Sequence, residues 1–406
     1  MQQRSAKARS LSCASLCVPL CLRLQEAYQE ALPEAHSEAN QEAHKEAHAK
    51  AHKEAHQEAN QEALPQTDQA SDQASATLRQ KPTKRHTKKH TKKHTRKPTK
   101  RPTKKPTKKR TDTTGPKRPG GKPLQIGVAA HMGLNQFEDD YRSNIDAWVK
   151  FTDVNEDMQW DTYIQPVLDQ GKEVVLVTQF YPTDGSFDNL NAIAYYGQYD
   201  DRINSLADTL LAKGNPSNVW LRPLHEMNGD WYPWGVFSGG NNADAFKNAY
   251  RHIHDILKGR GVNAKFQLAY NCRTPDQFSY TSFGDLYPGS DYVDMIVCSG
   301  YNRAGTPNNN SWVTLKDFFS GAYDDMAGLS DTVPIGIGET GSTNYYGGNS
   351  RADWIRDAFH DIFYDFPRVE QVDWFFIDKS PESGDWELNT SEEIDAFSDG
   401  CRDYSS

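Results

Sequence analysis

The chain has 406 residues and a net charge of −9, which is distributed unevenly. Residues 79–118 contain 19 Lys/Arg and a single acid, whereas residues 119–406 contain 20 basic and 43 acidic residues. The acidic part holds all nine Trp, so it is the part that can bury a core. Its charge argues against nucleic acid as a partner, because phosphate binding needs positive charge, and it is compatible with a neutral polymer.

Residues 1–24 have the layout of a secretory signal segment. Arg4, Lys7 and Arg9 precede a short apolar run, residues 11–22. Ser and Pro interrupt this run, and no Ala-x-Ala cleavage motif follows it. An unstructured leader or a wrongly assigned start is therefore the alternative. We expect an extracellular protein, and we expect no membrane-spanning helix because no stretch of 18 apolar residues occurs.

Two low-complexity segments follow. Residues 25–78 repeat Glu-Ala-His with a period of four, which brings like charges together on a helix; we expect a disordered segment or an isolated helix. Residues 79–121 are rich in Lys, Thr and Pro, and we expect a disordered linker. The alternative is that this linker contacts acidic polymers. The repeated His side chains are interpreted as part of the repeat, so no metal or cofactor is predicted.

The sequence pattern changes over residues 122–406, where apolar runs alternate with segments of helical periodicity. This alternation predicts parallel strands covered by helices, and eight such units predict an α/β fold of the (β/α)8 TIM-barrel type. A doubly wound open sheet is the alternative, but it needs a glycine-rich phosphate loop that Gly127–Gly133 does not have. The eight predicted strands are Leu124–Ala130, Trp148–Val154, Glu173–Phe180, Asn218–Glu226, Lys265–Asn271, Met295–Asn302, Val333–Gly341 and Val372–Lys379.

Three cysteines lie in this C-terminal part: Cys272, Cys298 and Cys401. Cys272 and Cys298 fall near the ends of two successive predicted strands. A disulfide between them and a pair of buried free thiols are both compatible with this position, so the redox compartment stays open.

Two carboxylates fall at the ends of predicted strands. Strand four ends with Arg222-Pro-Leu-His225-Glu226, and strand seven leads to Glu339. The C-terminal strand ends of such a barrel form the active site, so both side chains should meet at one mouth. Glycosidic bond cleavage needs this pair, one as a proton donor with a raised pKa and one as an ionised nucleophile or base.

These residues resemble a known family. The run Trp220–Trp234 resembles the acid/base signature of glycoside hydrolase family 26, and Ile337–Gly341 resembles that family's nucleophile strand. The resemblance spans roughly residues 124–398. It also covers Tyr287–Asp294, Gly300–Asn302, Trp374–Lys379 and Asp385-Trp386.

The resemblance implies a barrel enzyme that hydrolyses β-linked polysaccharides with retention and without a cofactor. Glu226 would be the acid/base, and Glu339 the nucleophile that forms the glycosyl intermediate. The expected partner is a polysaccharide, and we expect a monomer.

Further roles are implied by the same resemblance. His225 would hold the sugar at the cleavage point or, alternatively, only orient Glu226. Tyr301 would donate a hydrogen bond to the nucleophile. Trp374 would form a platform under the sugar ring, and Trp231 would contact substrate from the acid/base loop.

Other polar and aromatic residues near the predicted mouth have more modest roles. Arg222 shares strand parity with Glu226, so we expect it to support a carboxylate. For Trp231 and Trp234 the alternative to substrate contact is core packing. Lys379 is a weaker candidate for a hydrogen bond to substrate.

The expected substrate is a plant or algal wall polysaccharide, nominally β-mannan, cleaved at internal β-1,4 linkages. Many mannanases of the family have adjacent tryptophans in the acid/base loop, whereas this chain has Trp231-Tyr-Pro-Trp234. The first alternative is therefore mixed-linkage β-1,3-1,4-glucan. The second alternative is a carbohydrate-binding barrel without catalysis.

Overall fold

A computed structural model describes residues 123–183, 189–307, 309, 311–344, 347–380 and 383–404. The predicted signal segment, the Glu-Ala-His repeat, the basic linker and the disorder expected for them lie outside the described residues. The structural account below concerns the part predicted to be a barrel.

Eight parallel strands pair in chain order and close on themselves, so the predicted (β/α)8 barrel is confirmed. Each strand is a largely buried run, as expected for a parallel sheet covered by helices. The strands are β1 (Gln125–Ala130), β2 (Ala147–Asp153), β3 (Glu173–Gln179), β4 (Val219–Pro223), β5 (Lys265–Asn271), β6 (Met295–Asn302), β7 (Ile335–Ser342) and β8 (Val369–Phe376).

Helices cover the outside of the barrel, and polar caps define where several of them begin. The Asn242 side chain accepts a hydrogen bond from the Ala245 amide at the start of α6, and Thr314 with Asp317 forms a capping box at the start of α7. The helices are α1 (Leu134–Tyr141), α2 (Trp160–Tyr163), α3 (Gln165–Leu168), α4 (Leu190–Ala194), α5 (Asp200–Ala212), α6 (Ala243–Gly259), α7 (Leu315–Leu329), α8 (Arg351–Tyr364) and α9 (Ser391–Tyr404).

Short elements complete the loops at the barrel mouth. Two-residue strands β9 (Asp378–Lys379) and β10 (Gly384–Asp385) pair after β8, and the loop after β5 contains the 3-10 helix Asp276–Phe278. Further 3-10 turns are Phe283–Leu286 and Ser290–Tyr292. Over the described ranges, no helix has the length and apolar character needed to span a bilayer.

Two separate sets of buried side chains form the core. Alternate residues of a strand point to opposite faces of the sheet, so one set fills the barrel and the other packs between barrel and helices. On β8, Phe375 belongs to the inner cluster and Trp374 and Phe376 to the outer one. A disulfide joins Cys272, which directly follows β5, to Cys298 in the middle of β6, and this decides between the two alternatives left open by the sequence. Cys401 is a buried free thiol.

Strand β4 ends earlier than the sequence predicts, at Pro223 instead of Glu226. Leu224 and Glu226 both have a φ of 54°, in the left-handed region that side chains rarely adopt. The Glu226 amide still donates to the carbonyl oxygen of Ala269 on β5, at 2.7 Å. The chain therefore turns sharply at the barrel mouth, and the carboxylate is carried by this turn and not by the strand.

Candidate active site

Arg222 lies at the base of the site, fully buried inside the barrel. Its Nε donates to Gln267 Oε1 at 2.9 Å and its Nη1 donates to the Gly338 carbonyl oxygen at 2.7 Å. The guanidinium also forms an ion pair with the buried Asp373, and Nη1 lies 3.4 Å from Glu339 Oε1. A buried guanidinium needs partners for its N–H donors, and Arg222 has four of them. Its positive charge is therefore held next to the Glu339 carboxylate.

Two glycines leave room for this ion pair. A Cβ built on Gly338 would lie 2.7 Å from Arg222 Nη2, and one built on Gly127 would lie 2.0 Å from Asp373 Oδ1. Both distances are shorter than a van der Waals contact. Any larger residue at either position would displace the Arg222–Asp373 pair that supports Glu339.

Glu339 is 4% exposed on β7 and faces the mouth of the barrel. The Tyr301 hydroxyl donates a hydrogen bond to its Oε2 at 2.8 Å. Burial and the nearby charge of Glu226 raise the pKa of Glu339, whereas the charge of Arg222 and the Tyr301 hydrogen bond lower it. The site therefore supplies two groups that stabilise the ionised form of a strongly desolvated carboxylate.

Glu226 is 3% exposed and lies close enough to Glu339 for the two charges to interact. Trp231 Nε1 donates to its Oε2 at 2.8 Å, and Asn271 Nδ2 donates to its Oε1 at 3.1 Å. Burial raises the pKa of Glu226, opposed mainly by the hydrogen bonds from Trp231 and Asn271. A carboxyl group in this setting holds its proton to higher pH than an exposed one.

The two carboxyl groups titrate as a coupled pair, because each disfavours ionisation of the other. We assign the charge to Glu339 and the proton to Glu226. The reason is that the guanidinium of Arg222 and the phenol of Tyr301 both contact Glu339, whereas Trp231 and Asn271 offer neutral donors to Glu226. One acid and one base are the pair that glycosidic bond cleavage requires.

His225 lies beside the pair in an aromatic setting. Its Nε2 is 3.0 Å from the Tyr232 hydroxyl, and its carbonyl oxygen accepts a hydrogen bond from Trp234 Nε1 at 2.8 Å. Tyr232 and Trp234 stack, with ring centroids 4.6 Å apart. Burial lowers the pKa of His225 to about 3, and the charge of Arg222 acts in the same direction. His225 is therefore neutral and presents its ring to the cleft.

The cleft above Glu339 has a volume of about 440 Å³, including its open mouth. Of the residues that line it, the sequence predicts His225, Tyr301 and Glu339 as site residues and Lys379 as a weaker candidate. The complete lining consists of Phe151, His225, Tyr232, Tyr301, Arg303, Glu339, Phe375, Lys379, Ser383 and Trp386.

Trp374 is not part of this cleft, so its predicted place under the sugar is wrong. It is fully buried on the outside of the barrel, where its ring lies 4.9 Å from that of Phe359 on α8. Strand alternation is the reason, because consecutive residues of β8 point to opposite faces. From β8 and the loop after it, the aromatic residues that line the cleft are Phe375 and Trp386, whose rings pack edge-on against Tyr301 at 5.9 and 5.1 Å.

The two tryptophans of the acid/base loop also differ from the expectation of substrate contact. Trp231 is 5% exposed and packs over Gly229, where a Cβ would come within 2.5 Å of the indole ring. Its indole nitrogen contacts the Glu226 carboxyl group, so its ring restrains the position of that side chain. Trp234 is fully buried, which agrees with the core-packing alternative.

Sequence comparisons relate part of the chain to a known family. The family model described as "Glycosyl hydrolase family 26" matches residues 141–331. Endoglucanase H of Acetivibrio thermocellus is 36% identical over 201 residues, which cover 48% of this chain and 21% of that protein. A mannan endo-1,4-beta-mannosidase of Bacillus subtilis is 29% identical over 160 residues, covering 38% of this chain and 39% of that protein. The chain thus matches less than half the length of these curated relatives.

Solved structures share the fold at low sequence identity. The catalytic domain of an endo-beta-1,4-mannanase from Bacillus sp. JAMB-750 has a TM-score of 0.53 at 16% identity, covering 71% of this chain and 88% of that domain. A Cellulomonas fimi endo-beta-1,4-mannanase has a TM-score of 0.52 at 18% identity, covering 68% and 70%. At this level of identity the similarity concerns the barrel fold alone.

Proposed function

We propose that the barrel is a member of glycosyl hydrolase family 26, whose model matches residues 141–331, and that it is a retaining endo-β-glycanase. Its proposed substrate is a wall polysaccharide, nominally β-mannan, cleaved at internal β-1,4 linkages. The observation that supports this proposal best is the pair of buried carboxyl groups at one mouth. Glu339 contacts a guanidinium and a phenol, and Glu226 contacts an indole and an amide.

In the first half of the proposed reaction, a Glu339 carboxylate oxygen attacks the anomeric carbon of the sugar in the cleft. The bond from that carbon to the bridging oxygen breaks, its electrons go to the oxygen, and Glu226 protonates that oxygen. Tyr301 and Arg222 hold the Glu339 carboxylate in its ionised form before the attack. The product is a glycosyl ester on Glu339 and a free chain end.

In the second half, the ionised Glu226 takes a proton from water while the water oxygen attacks the same anomeric carbon. The ester bond breaks and Glu339 leaves as a carboxylate, which restores the starting state. Trp231 and Asn271 hold Glu226 in place in both protonation states, since each of them donates to a carboxyl oxygen. Two displacements at one carbon give net retention.

Replacement of either carboxylate tests the assignment. Glu226→Ala and Glu339→Ala should each lower kcat on polysaccharide by about 10³-fold or more, because each removes a group needed in the transition state. Circular dichroism and the melting temperature would confirm that each variant is folded. A variant that kept a rate near that of the unchanged protein would contradict the role given to that residue.

Labelling distinguishes retention from inversion. A 2-deoxy-2-fluoro glycoside with a good leaving group slows the second displacement, so the sugar should remain on Glu339 and appear in a peptide containing residues 335–342 by mass spectrometry. NMR of the first product should show the β-anomer. Formation of the α-anomer, or absence of the labelled peptide in an active sample, would refute the double displacement.

Mannan and mixed-linkage glucan are the two candidates for the substrate. The mannan endo-1,4-beta-mannosidase of Bacillus subtilis supports mannan, whereas the higher identity to Endoglucanase H favours mixed-linkage glucan as the second candidate. Product analysis on galactomannan, lichenan and β-1,3-xylan would separate these. Hydrolysis of lichenan without hydrolysis of galactomannan would replace mannan by mixed-linkage glucan. If none of the polymers is cut but one is bound, the barrel is a binding module.

The cellular location and the oligomeric state are part of the same proposal. We place it outside the cell as a monomer, and the disulfide between Cys272 and Cys298 supports an oxidising compartment. Fractionation of producing cells and light scattering of the purified protein would test the two statements separately.

A further inference from the structure

Three aromatic rings form an exposed cluster at the barrel mouth, outside the cleft. Phe237 lies on the loop after β4, and Phe278 and Tyr280 lie on the loop after β5. Phe237 and Phe278 stack with centroids 3.9 Å apart and an interplanar angle of 6°, and Tyr280 meets Phe237 edge-on at 6.2 Å. Tyr280 is 77% exposed and the two Phe rings are half-buried. Partly exposed aromatic rings of this kind offer an apolar face on which a ligand can pack.

A chain of hydrogen bonds ties this cluster to the acid/base. The Asn271 side chain donates to Glu226 through Nδ2 and accepts from the Arg273 amide through Oδ1, at 3.0 Å. The Arg273 guanidinium contacts both carboxylate oxygens of Asp276 at 2.8 and 2.9 Å. Asp276 is the first residue of the 3-10 helix that ends at Phe278. These contacts connect the loop that carries Phe278 to the residue that donates a hydrogen bond to Glu226.

The loop after β4 holds the third ring in a fixed place. The Val236 amide donates to the Met227 carbonyl oxygen at 2.8 Å, and Ser238 Oγ donates to the Asp230 carbonyl oxygen at 2.9 Å. Phe237 lies between these two anchors, so its ring is presented by a restrained backbone. A restrained aromatic ring is a good binding surface because little side-chain entropy is lost when a ligand packs on it.

The cluster lies on the two loops next to Glu226, the group that protonates the leaving chain in the proposed reaction. The cleft around Glu339, where the sugar that is attacked is held, is lined by residues of β2, β6, β7 and β8 and of the loops after β4, β6 and β8. Glu226 protonates the bridging oxygen, so the sugars beyond that oxygen lie past Glu226, toward the loops after β4 and β5. Phe237, Phe278 and Tyr280 stand on those two loops.

We propose that Phe237, Phe278 and Tyr280 form a binding subsite for the leaving-group portion of the polysaccharide chain. The inference rests on the proposed function and extends it. The apolar C–H face of a pyranose ring packs on the exposed aromatic surface, and the Tyr280 hydroxyl is free to rotate toward a sugar hydroxyl. Neutral β-linked hexose chains, mannan or glucan, fit this surface.

Tyr280→Ala and Phe278→Ala test the subsite against two kinds of substrate. The polymers are galactomannan and lichenan, whose leaving groups are long chains. The small substrates are the β-fluorides of mannobiose and cellobiose, whose leaving group is a single fluoride. Loss of one aromatic contact should lower kcat/KM on the polymer by about 2- to 10-fold and leave the fluoride unchanged. Tyr364→Ala is the matched control, because Tyr364 is 38% exposed at the end of α8, on the opposite face of the barrel.

The outcomes separate the subsite from the proposed function. A decrease on polymer alone supports the subsite. Unchanged polymer hydrolysis in both variants overturns the subsite while the proposed function stands. An equal decrease on polymer and fluoride also overturns it, because the substitution then acts on the shared catalytic groups. If the unchanged protein cuts neither polymer nor fluoride, the proposed function fails first.

Discussion

Glu226 and Glu339 are both nearly inaccessible to solvent, and yet their partners differ in charge. Burial by itself raises the pKa of each, so it cannot decide which one carries the proton. The difference is made by Arg222 and Tyr301, which contact Glu339. Arg222 is in turn held by Asp373, so the assignment of acid and nucleophile depends on a buried ion pair below the sugar site.

Removal of one hydroxyl should shift the pH dependence of the reaction. The Tyr301 hydroxyl donates to Glu339 and stabilises its ionised form, so Tyr301→Phe raises the pKa of Glu339. The acid limb of the kcat/KM profile should then move to higher pH by about 1 to 2 units, as expected for the loss of a hydrogen bond to a charged group. Tyr232→Phe is the control, since that hydroxyl contacts His225. An unmoved acid limb in Tyr301→Phe would contradict the role given to Tyr301.

At the scale of elements, strands β5 and β6 supply hydrogen-bond donors to both carboxyl groups, although few of their residues line the cleft. Asn271 at the end of β5 donates to Glu226, and Tyr301 at the end of β6 donates to Glu339. The disulfide joins Cys272, which directly follows β5, to Cys298 in the middle of β6, and the Cys272 amide donates to the Ser299 carbonyl oxygen at 2.8 Å. The covalent link therefore joins the two strands that carry the hydrogen-bond donors to the two carboxylates.

Loss of the disulfide should lower stability and activity together. Closing a loop of 26 residues is expected to contribute about 3 to 4 kcal/mol, so Cys272→Ala/Cys298→Ala should reduce the free energy of unfolding by that amount in urea titrations. Cys401→Ala, which removes the buried free thiol, is the control for the loss of cysteine volume. Equal stability of the double variant and the unchanged protein would show that the link is not structural.

Much of the fold could be predicted because parallel strands covered on both sides are continuous apolar runs. Prediction from the sequence fails first at the ends of strands. Residues 224–226 continue the pattern of β4, but their backbone turns at the mouth, which hydrophobicity does not report. Trp374 shows a second limit: a motif gives the type of residue, whereas the face follows from strand parity, and a shift of one position moves the cleft aromatic to Phe375.

The remaining cleft residues could not be derived from local patterns. Phe151 comes from β2, Arg303 from the loop after β6, and Ser383 from the loop after β8. Closure of the barrel brings them together over long sequence separations. Strand parity could have indicated Phe375, because it shares the inner face with Asp373, and the match at Asp385-Trp386 could have indicated Trp386. No comparable signal in the sequence marks Ser383.

At the scale of the whole molecule, two consecutive segments of the chain have opposite charge. Residues 79–118 carry 19 Lys/Arg, and residues 119–406 have a net charge of −23. We predict that the full chain binds polygalacturonate at low salt, and that a chain beginning at Gly120 does not. Retention on a polygalacturonate column at 20 to about 500 mM salt would measure this, since contacts between exposed charges weaken steeply with ionic strength. Equal retention of both proteins would show that the basic segment is not a tether.

The left-handed backbone at Glu226 has a consequence for the evolution of the enzyme. At most positions Ala is more stabilising than Gly, but at a φ of 54° the order reverses, because Gly adopts this conformation without strain. Glu226→Gly should therefore melt at a higher temperature than Glu226→Ala, although both are inactive. If the Gly variant also melts above the active protein, the catalytic glutamate is a site where selection has accepted lower stability in exchange for function.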